Sequence, residues 1–194
     1  MNVTDSLTDV GNYALGLLGI PPVQNIDSDT DPAPIVSLHM AKSIRRVQVY
    51  PWPELLVRFQ PDPLDTPTSD GRYQYNLPTG CLRIVSASAA YDQEGEYVLS
   101  AATALEIVYV AENFTPTDWS VELTECVVHQ LAADLALPLG KTASMRGRLL
   151  EELHKMVQPW ARAERSKSAH STRYRARGFS YARTHMGLRP ARER

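Results

Sequence analysis

The sequence predicts an α+β protein: mainly a helical bundle with a small antiparallel β insertion and an extended basic C-terminal arm. Three observations lead there. Apolar residues recur at the helical period as far as Tyr50, at a period of two between Leu55 and Glu112, and at the helical period again up to Trp160. Proline and glycine punctuate the changes of period, as in Pro51-Trp52-Pro53 and Leu137-Pro138-Leu139-Gly140. The charge is divided as well: 1–160 holds 10 Lys and Arg against 20 Asp and Glu, a balance of -10, whereas 161–194 holds 10 against 2, a balance of +8, and the two sum to the net -2 of the 194 residues. The expected organisation is a body over 1–160 and a basic arm over 161–194.

The first helix is expected from about Asp5 to Leu18. Leu7, Val10, Ala14, Leu17 and Leu18 form its apolar side, Thr4 its N-cap, and Gly19 with Pro21-Pro22 its stop. Asn25 to Pro34 is acidic and proline-bearing, hence a loop, with Asp31-Pro32 as the cap and first turn of a second helix running to Tyr50. Ile35, Leu38, Ala41, Ile44 and Val47 would be its buried side, and Lys42, Arg45, Arg46 and Gln48 its polar side. Pro51 ends it, because proline lacks the amide donor and restricts the residue before it.

Between 55 and 112 the alternation predicts three or four antiparallel strands, drawn from five candidate stretches: Leu55 to Phe59, a stretch around Tyr73 and Tyr75, Cys81 to Ser88, Tyr97 to Ala101, and a doubly buried one from Leu105 to Val110. Pro61 to Gly71 reads as a loop and Asp92-Gln93-Glu94-Gly95 as a turn. A third helix is expected over 117–137 behind Thr115-Pro116, with Trp119, Leu123, Val127, Leu131 and Leu135 at i, i+4 spacing. The fourth is expected over 143–158, capped by Thr142, with Met145, Leu149, Leu153, Met156 and Trp160 as its stripe and Pro159 breaking or kinking it.

Signals for chemistry are sparse, and no enzyme activity, cofactor or metal is expected. Glu125 and His129 share a helix face but lack a third ligand, so they read as a surface or interface pair. His39 has no Cys, Asp or Glu at ligand spacing and reads as structural. Leu139-Gly140-Lys141-Thr142 resembles the end of a phosphate-binding loop, yet it follows a helix and has no earlier glycine at the required spacing. Asp92, Glu94 and Glu96 alternate around Gly95 without the ligand order of a calcium loop, which leaves a solvated hairpin. Cys81 and Cys126 are too few for a disulfide framework and read as buried free thiols of a reducing cytoplasm. No apolar run approaches the roughly 18 to 20 residues that span a bilayer, and the polar N-terminus is no secretory signal, so no membrane association is expected.

The basic arm is the sharpest feature. Arg173, Tyr174, Arg175, Arg177, Phe179, Tyr181 and Arg183 interleave guanidinium groups with aromatic rings. Such a pattern suits nucleic acid, through phosphate pairing and base stacking, and equally an acidic groove on a protein. A solvated tail without a partner would not require three aromatics. Low hydrophobicity with charge of one sign predicts that the arm orders only on a partner.

The order of weak motifs carries a resemblance. Ala14-Leu15-Gly16-Leu17-Leu18-Gly19-Ile20-Pro21-Pro22, an acidic loop, a helix ending in Tyr50-Pro51-Trp52, a β insertion with Tyr75-Asn76-Leu77-Pro78 and Cys81-Leu82-Arg83-Ile84, the phrase Glu94-Gly95-Glu96-Tyr97-Val98-Leu99-Ser100, and a Leu/Ala-rich helix follow one another. Over about residues 5–160 the chain resembles the head-to-tail adaptor, or connector, family of tailed bacteriophages, and within it the tail tubular protein A type of short-tailed phages. The resemblance implies a structural virion protein at the head-tail interface, assembled in the host cytoplasm as a ring of twelve copies beneath the portal. A tail nozzle or tail tube protein would lie below, and double-stranded DNA would pass through the channel during ejection with only non-specific contact. It also implies a C-terminal segment reaching the portal protein; assigning the seven arm residues above to that contact extends the analogy. The alternative from another class is a DNA-binding or packaging factor that uses the arm as its main contact.

Overall fold

The structure is a computed structural model that describes residues 6–64 and 67–161. The chain divides into two units, Met1–Val157 and Gln158–Arg194, and of the second only 158–161, the end of the last helix, are described. The first unit is a mixed α+β structure with helices α1 (Leu7–Leu17), α2 (Ala33–Gln48) and α3 (Val121–Ala136), two antiparallel sheets, and all but the last residues, 158–161, of a fourth helix α4 over 143–161. Among the described residues seven strands stand where three or four were expected, so the β part is larger than a small insertion.

The N-cap of α1 is Ser6; Thr4, expected in that place, lies outside the described residues. The Ser6 hydroxyl accepts from the Asp9 amide at 3.2 Å and donates to the Asp9 carboxylate at 2.7 Å, a reciprocal cap. Its end is a Schellman turn: Ile20 N–H donates to Leu15 O and Gly19 N–H to Gly16 O, both at 3.0 Å, with Gly19 at φ 65°. α3 ends the same way, Lys141 N–H donating to Ala136 O at 2.8 Å and Gly140 N–H to Leu137 O at 3.0 Å, with Gly140 at φ 72°. The phosphate-loop lookalike at 139–142 is therefore a helix stop followed by the Thr142 cap, whose hydroxyl accepts from Met145 N–H at 3.2 Å.

Two helix starts differ from expectation. Asp31 does not cap α2; Pro32, joined to it by a cis peptide bond, holds the cap position without a side-chain bond. Thr115-Pro116-Thr117-Asp118 closes only a single 3-10 turn over Pro116–Asp118, and α3 begins behind Ser120, whose hydroxyl accepts from Leu123 N–H at 3.2 Å. A 3-10 turn over Pro53–Leu55 likewise takes the first residue of the strand expected from Leu55. At the far end α4 runs through Pro159 to 161 rather than breaking there.

The helical core is built from Val10, Ala14, Leu15 and Leu18 of the α1 region, Val36, Met40, Ile44 and Val47 of α2, Leu123, Val127, Leu131 and Leu135 of α3, and Leu149, Leu153 and Val157 of α4. Both α1 and α2 pack on α3. The buried side of α2 is rotated from the expected one: Val36 and Met40 are inside while Leu38 is 78% exposed, and Gln48, expected on the polar side, is 0% exposed.

The first sheet has the order β1 (Leu56–Phe59), β7 (Ile107–Ala111), β4 (Cys81–Ala87). The second has the order β2 (Pro63–Leu64), β3 (Tyr73–Asn76), β6 (Tyr97–Ser100), β5 (Asp92–Glu94). Two segments expected as loop and turn are therefore strands: Pro63 and Leu64 pair with Tyr75 and Gln74, and Asp92 to Glu94 pair with Leu99 to Tyr97. Both are edge strands with exposed side chains, so neither shows the alternation that marks a half-buried strand. Leu105, 0% exposed, precedes β7 rather than starting it.

Directly paired residues point to one face of a sheet, which aligns Ile84 with Tyr109 across β4 and β7, and Tyr75 with Val98 across β3 and β6. These faces meet in one apolar cluster of Tyr75, Ile84, Val98, Leu105, Ile107 and Tyr109. Phe59 extends it at the β1 edge, its ring edge-on to Tyr109 at 6.4 Å.

Candidate functional site

The seven residues that the sequence singles out for partner binding, Arg173, Tyr174, Arg175, Arg177, Phe179, Tyr181 and Arg183, lie outside the described residues. Within the body, polar side chains converge at the C-terminal half of α2. Gln48 lies against the backbone of Asn113, just after β7: its amide donates to Asn113 O and its carbonyl accepts from Asn113 N–H at 3.0 Å. The indole of Trp119 donates to the same Asn113 carbonyl at 3.2 Å, and the Asn113 side chain accepts from Thr115 N–H at 2.7 Å. One turn earlier, the Arg45 guanidinium pairs with Glu112 and lies 5.5 Å over the Phe114 ring. Trp52 is buried beyond the helix and donates from its indole to Val47 O at 2.9 Å. Helix and sheet are thus fastened by groups that substitute for a shared backbone ladder.

Asp134 forms the second convergence. Its carboxylate accepts from Ser43 Oγ at 2.9 Å, from Arg46 Nη1 at 2.8 and 2.9 Å, and from Gln130 Nε2 at 3.0 Å. Ser43 and Gln130 are buried, so this carboxylate satisfies donors that water cannot reach and locks the register of α2 on α3. Beside it a depression of about 190 Å³ is floored by Val47, Leu153 and Val157 and rimmed by Arg46, Tyr50 and His154. Ligand pockets usually enclose roughly 300 to 1,000 Å³, so this one fits a side chain rather than a nucleotide.

The remaining sequence candidates resolve individually. His129 does not pair with the Glu125 carboxylate; its Nδ1–H donates to the Glu125 backbone carbonyl at 2.9 Å, and its Nε2 is 3.6 Å from Glu152 on α4. His39 is half-buried on α2. Among the described residues no group of three or more His, Cys, Asp or Glu is arranged to hold a metal ion, and no helix is long and apolar enough to cross a membrane. Asp92 pairs with Arg72 at 2.7 Å on the exposed β5 hairpin.

Cys81 is half-buried and Cys126 is buried in α3. Burial pushes the Cys126 thiol up to about 12, with the nearby Glu125 and Glu122 carboxylates adding to the rise. At pH 8 its thiolate fraction is then roughly one part in ten thousand. A thiol-reactive disulfide reagent at that pH is expected to modify at most one cysteine per folded chain, and the second only on unfolding. Rapid modification of two would show that α3 opens readily.

Sequence reasoning did not single out Gln48, Ser43 or Asp134. Gln48 lies four residues after the buried Ile44, a spacing that shares a helix face, and this was the available signal. Nothing in the sequence links Ser43 to Asp134, 91 residues away. No protein-family model matches the chain, and no curated protein matches it.

Proposed function

We propose that this chain is a structural virion protein, a head-to-tail adaptor that forms a ring beneath a phage portal and passes DNA through its channel. The observation that carries the reading is the charge division, -10 over 1–160 and +8 over 161–194. An acidic body repels phosphates, so DNA would slide along it rather than stick, whereas a body built to grip DNA would carry positive charge on its fold. The ordered motifs from Ala14-Leu15-Gly16 to the Leu/Ala-rich α3 support the same reading. The architecture it calls for is a helical body, a β module, and an extended arm whose Arg173, Tyr174, Arg175, Arg177, Phe179, Tyr181 and Arg183 contact the portal. Twelve copies would close the ring, with a nozzle or tube protein below.

A DNA-binding or packaging factor is the second reading, favoured by the alternation of arginine with aromatic residues in the arm, which suits stacking on bases. Mass measurement of the purified chain with and without duplex DNA separates the two. The adaptor is expected to show a high multiple of the 21.6 kDa chain irrespective of DNA. A monomer that gains mass only when DNA is added would replace it with the packaging factor.

A further inference from the structure

Two side chains on the helices stand out by their exposure: Leu38 on α2 at 78% and Val121 at the start of α3 at 56%. Each is followed four residues later by a charge on the same helix face, Lys42 in one case and Glu125 in the other, all four side chains being exposed. The signs continue outward. Arg45 extends the α2 patch, and Glu122, in the first turn of α3, extends the other. Both patches therefore have an apolar centre and a charged flank, with the same spacing and opposite sign.

We infer that these are the two halves of the subunit contact: the Leu38–Lys42 patch of one copy seats on the Val121–Glu125 patch of the next. The inference rests on the ring reading above and names the surfaces that would form it. Charge disfavours a symmetric pairing through one patch alone. A twofold contact through either patch alone brings Lys42 toward Lys42, or Glu125 toward Glu125, whereas a head-to-tail contact brings unlike charges together at every step. A head-to-tail contact leaves one patch of each kind open on every partial assembly, so growth continues until rotation closes it. Leucine against valine excludes water at the centre, and the Lys42–Glu125 pair, weak while solvated, gains from that exclusion. Arg45 is held by Glu112 and over Phe114, which fixes its stem beside Lys42 while Glu112 compensates its charge, so Lys42 carries the positive charge of this patch.

The test is a charge swap read by mass across a concentration series of the full chain, with thermal melting to verify folding. Lys42→Glu and Glu125→Lys are each expected to raise the half-assembly concentration about tenfold or more, since each places like charges together. The double variant restores an unlike pair in every contact and is expected to assemble near the wild-type concentration. Single variants that assemble like wild type, or a double variant no better than the singles, would overturn this contact and leave the ring standing. A wild-type chain that stays monomeric throughout would overturn the ring reading, and this contact with it.

Discussion

Leu131→Ala is expected to destabilise the fold by about 2–5 kcal/mol, the range for deleting a buried leucine from a core that cannot collapse around the gap. Leu131 is fully buried at the middle of α3, the helix on which both α1 and α2 pack. Its flanking positions Val127, Leu135 and the alanines at 132 and 133 are buried too, so no neighbour has solvent-side freedom to move inward. The loss has two parts, the transfer energy of the removed methyl and methylene groups and the cavity that remains. Denaturant unfolding followed by helix signal measures it. A loss below about 0.5 kcal/mol, the scale of surface substitutions, would mean that α3 is not the central helix.

Gln48→Ala is expected to cost about 1–3 kcal/mol from the orphaned amide alone, with a further loss for the emptied volume. Gln48 makes both hydrogen bonds to one peptide unit, accepting from Asn113 N–H and donating to Asn113 O. The carbonyl keeps a partner in Trp119, whereas the Asn113 N–H loses the Gln48 oxygen that accepts from it, so the cost concentrates there. The effect should also be local. Amide exchange is expected to speed up at Asn113 and in the 3-10 turn of Pro116–Asp118 more than in α1. Uniform acceleration across the body would show that Gln48 supports global rather than junction stability.

Much of the fold was legible where burial is one-sided and sustained. The i, i+4 series from Trp119 to Leu135 is buried throughout, and Leu149 and Leu153 lie inside as expected. In α2 the same reasoning placed Ile44 and Val47 correctly but misplaced the start of the buried side, at Ile35 and Leu38 rather than Val36 and Met40. Ile35, Leu38 and Ala41 fit a helical stripe as well as Val36 and Met40 do, and the choice between the two phases depends on what α3 offers across the contact. Ser43 and Gln48 belong to the buried phase, but their polarity hid it; both are inside because Asp134 and the Asn113 backbone satisfy them. Strands β2 and β5 escaped for a different reason. An edge strand of two or three exposed residues buries nothing, and its existence follows only from the hydrogen bonds a neighbour supplies. The arm residues around Arg173 to Arg183 were conspicuous through composition, which speaks of partners and not of folded contacts.

The two edges of the second sheet bear on how the chain behaves when crowded with its own copies. β2 places Pro63, a residue without an amide donor, in its two-residue edge, and β5 sets Asp92 and Glu94 on the opposite edge. Each device blocks a different route to fibrils: proline denies the bond, and carboxylates repel the same edge of another molecule. This sheet is therefore guarded at both edges against recruiting its own kind into an endless ladder.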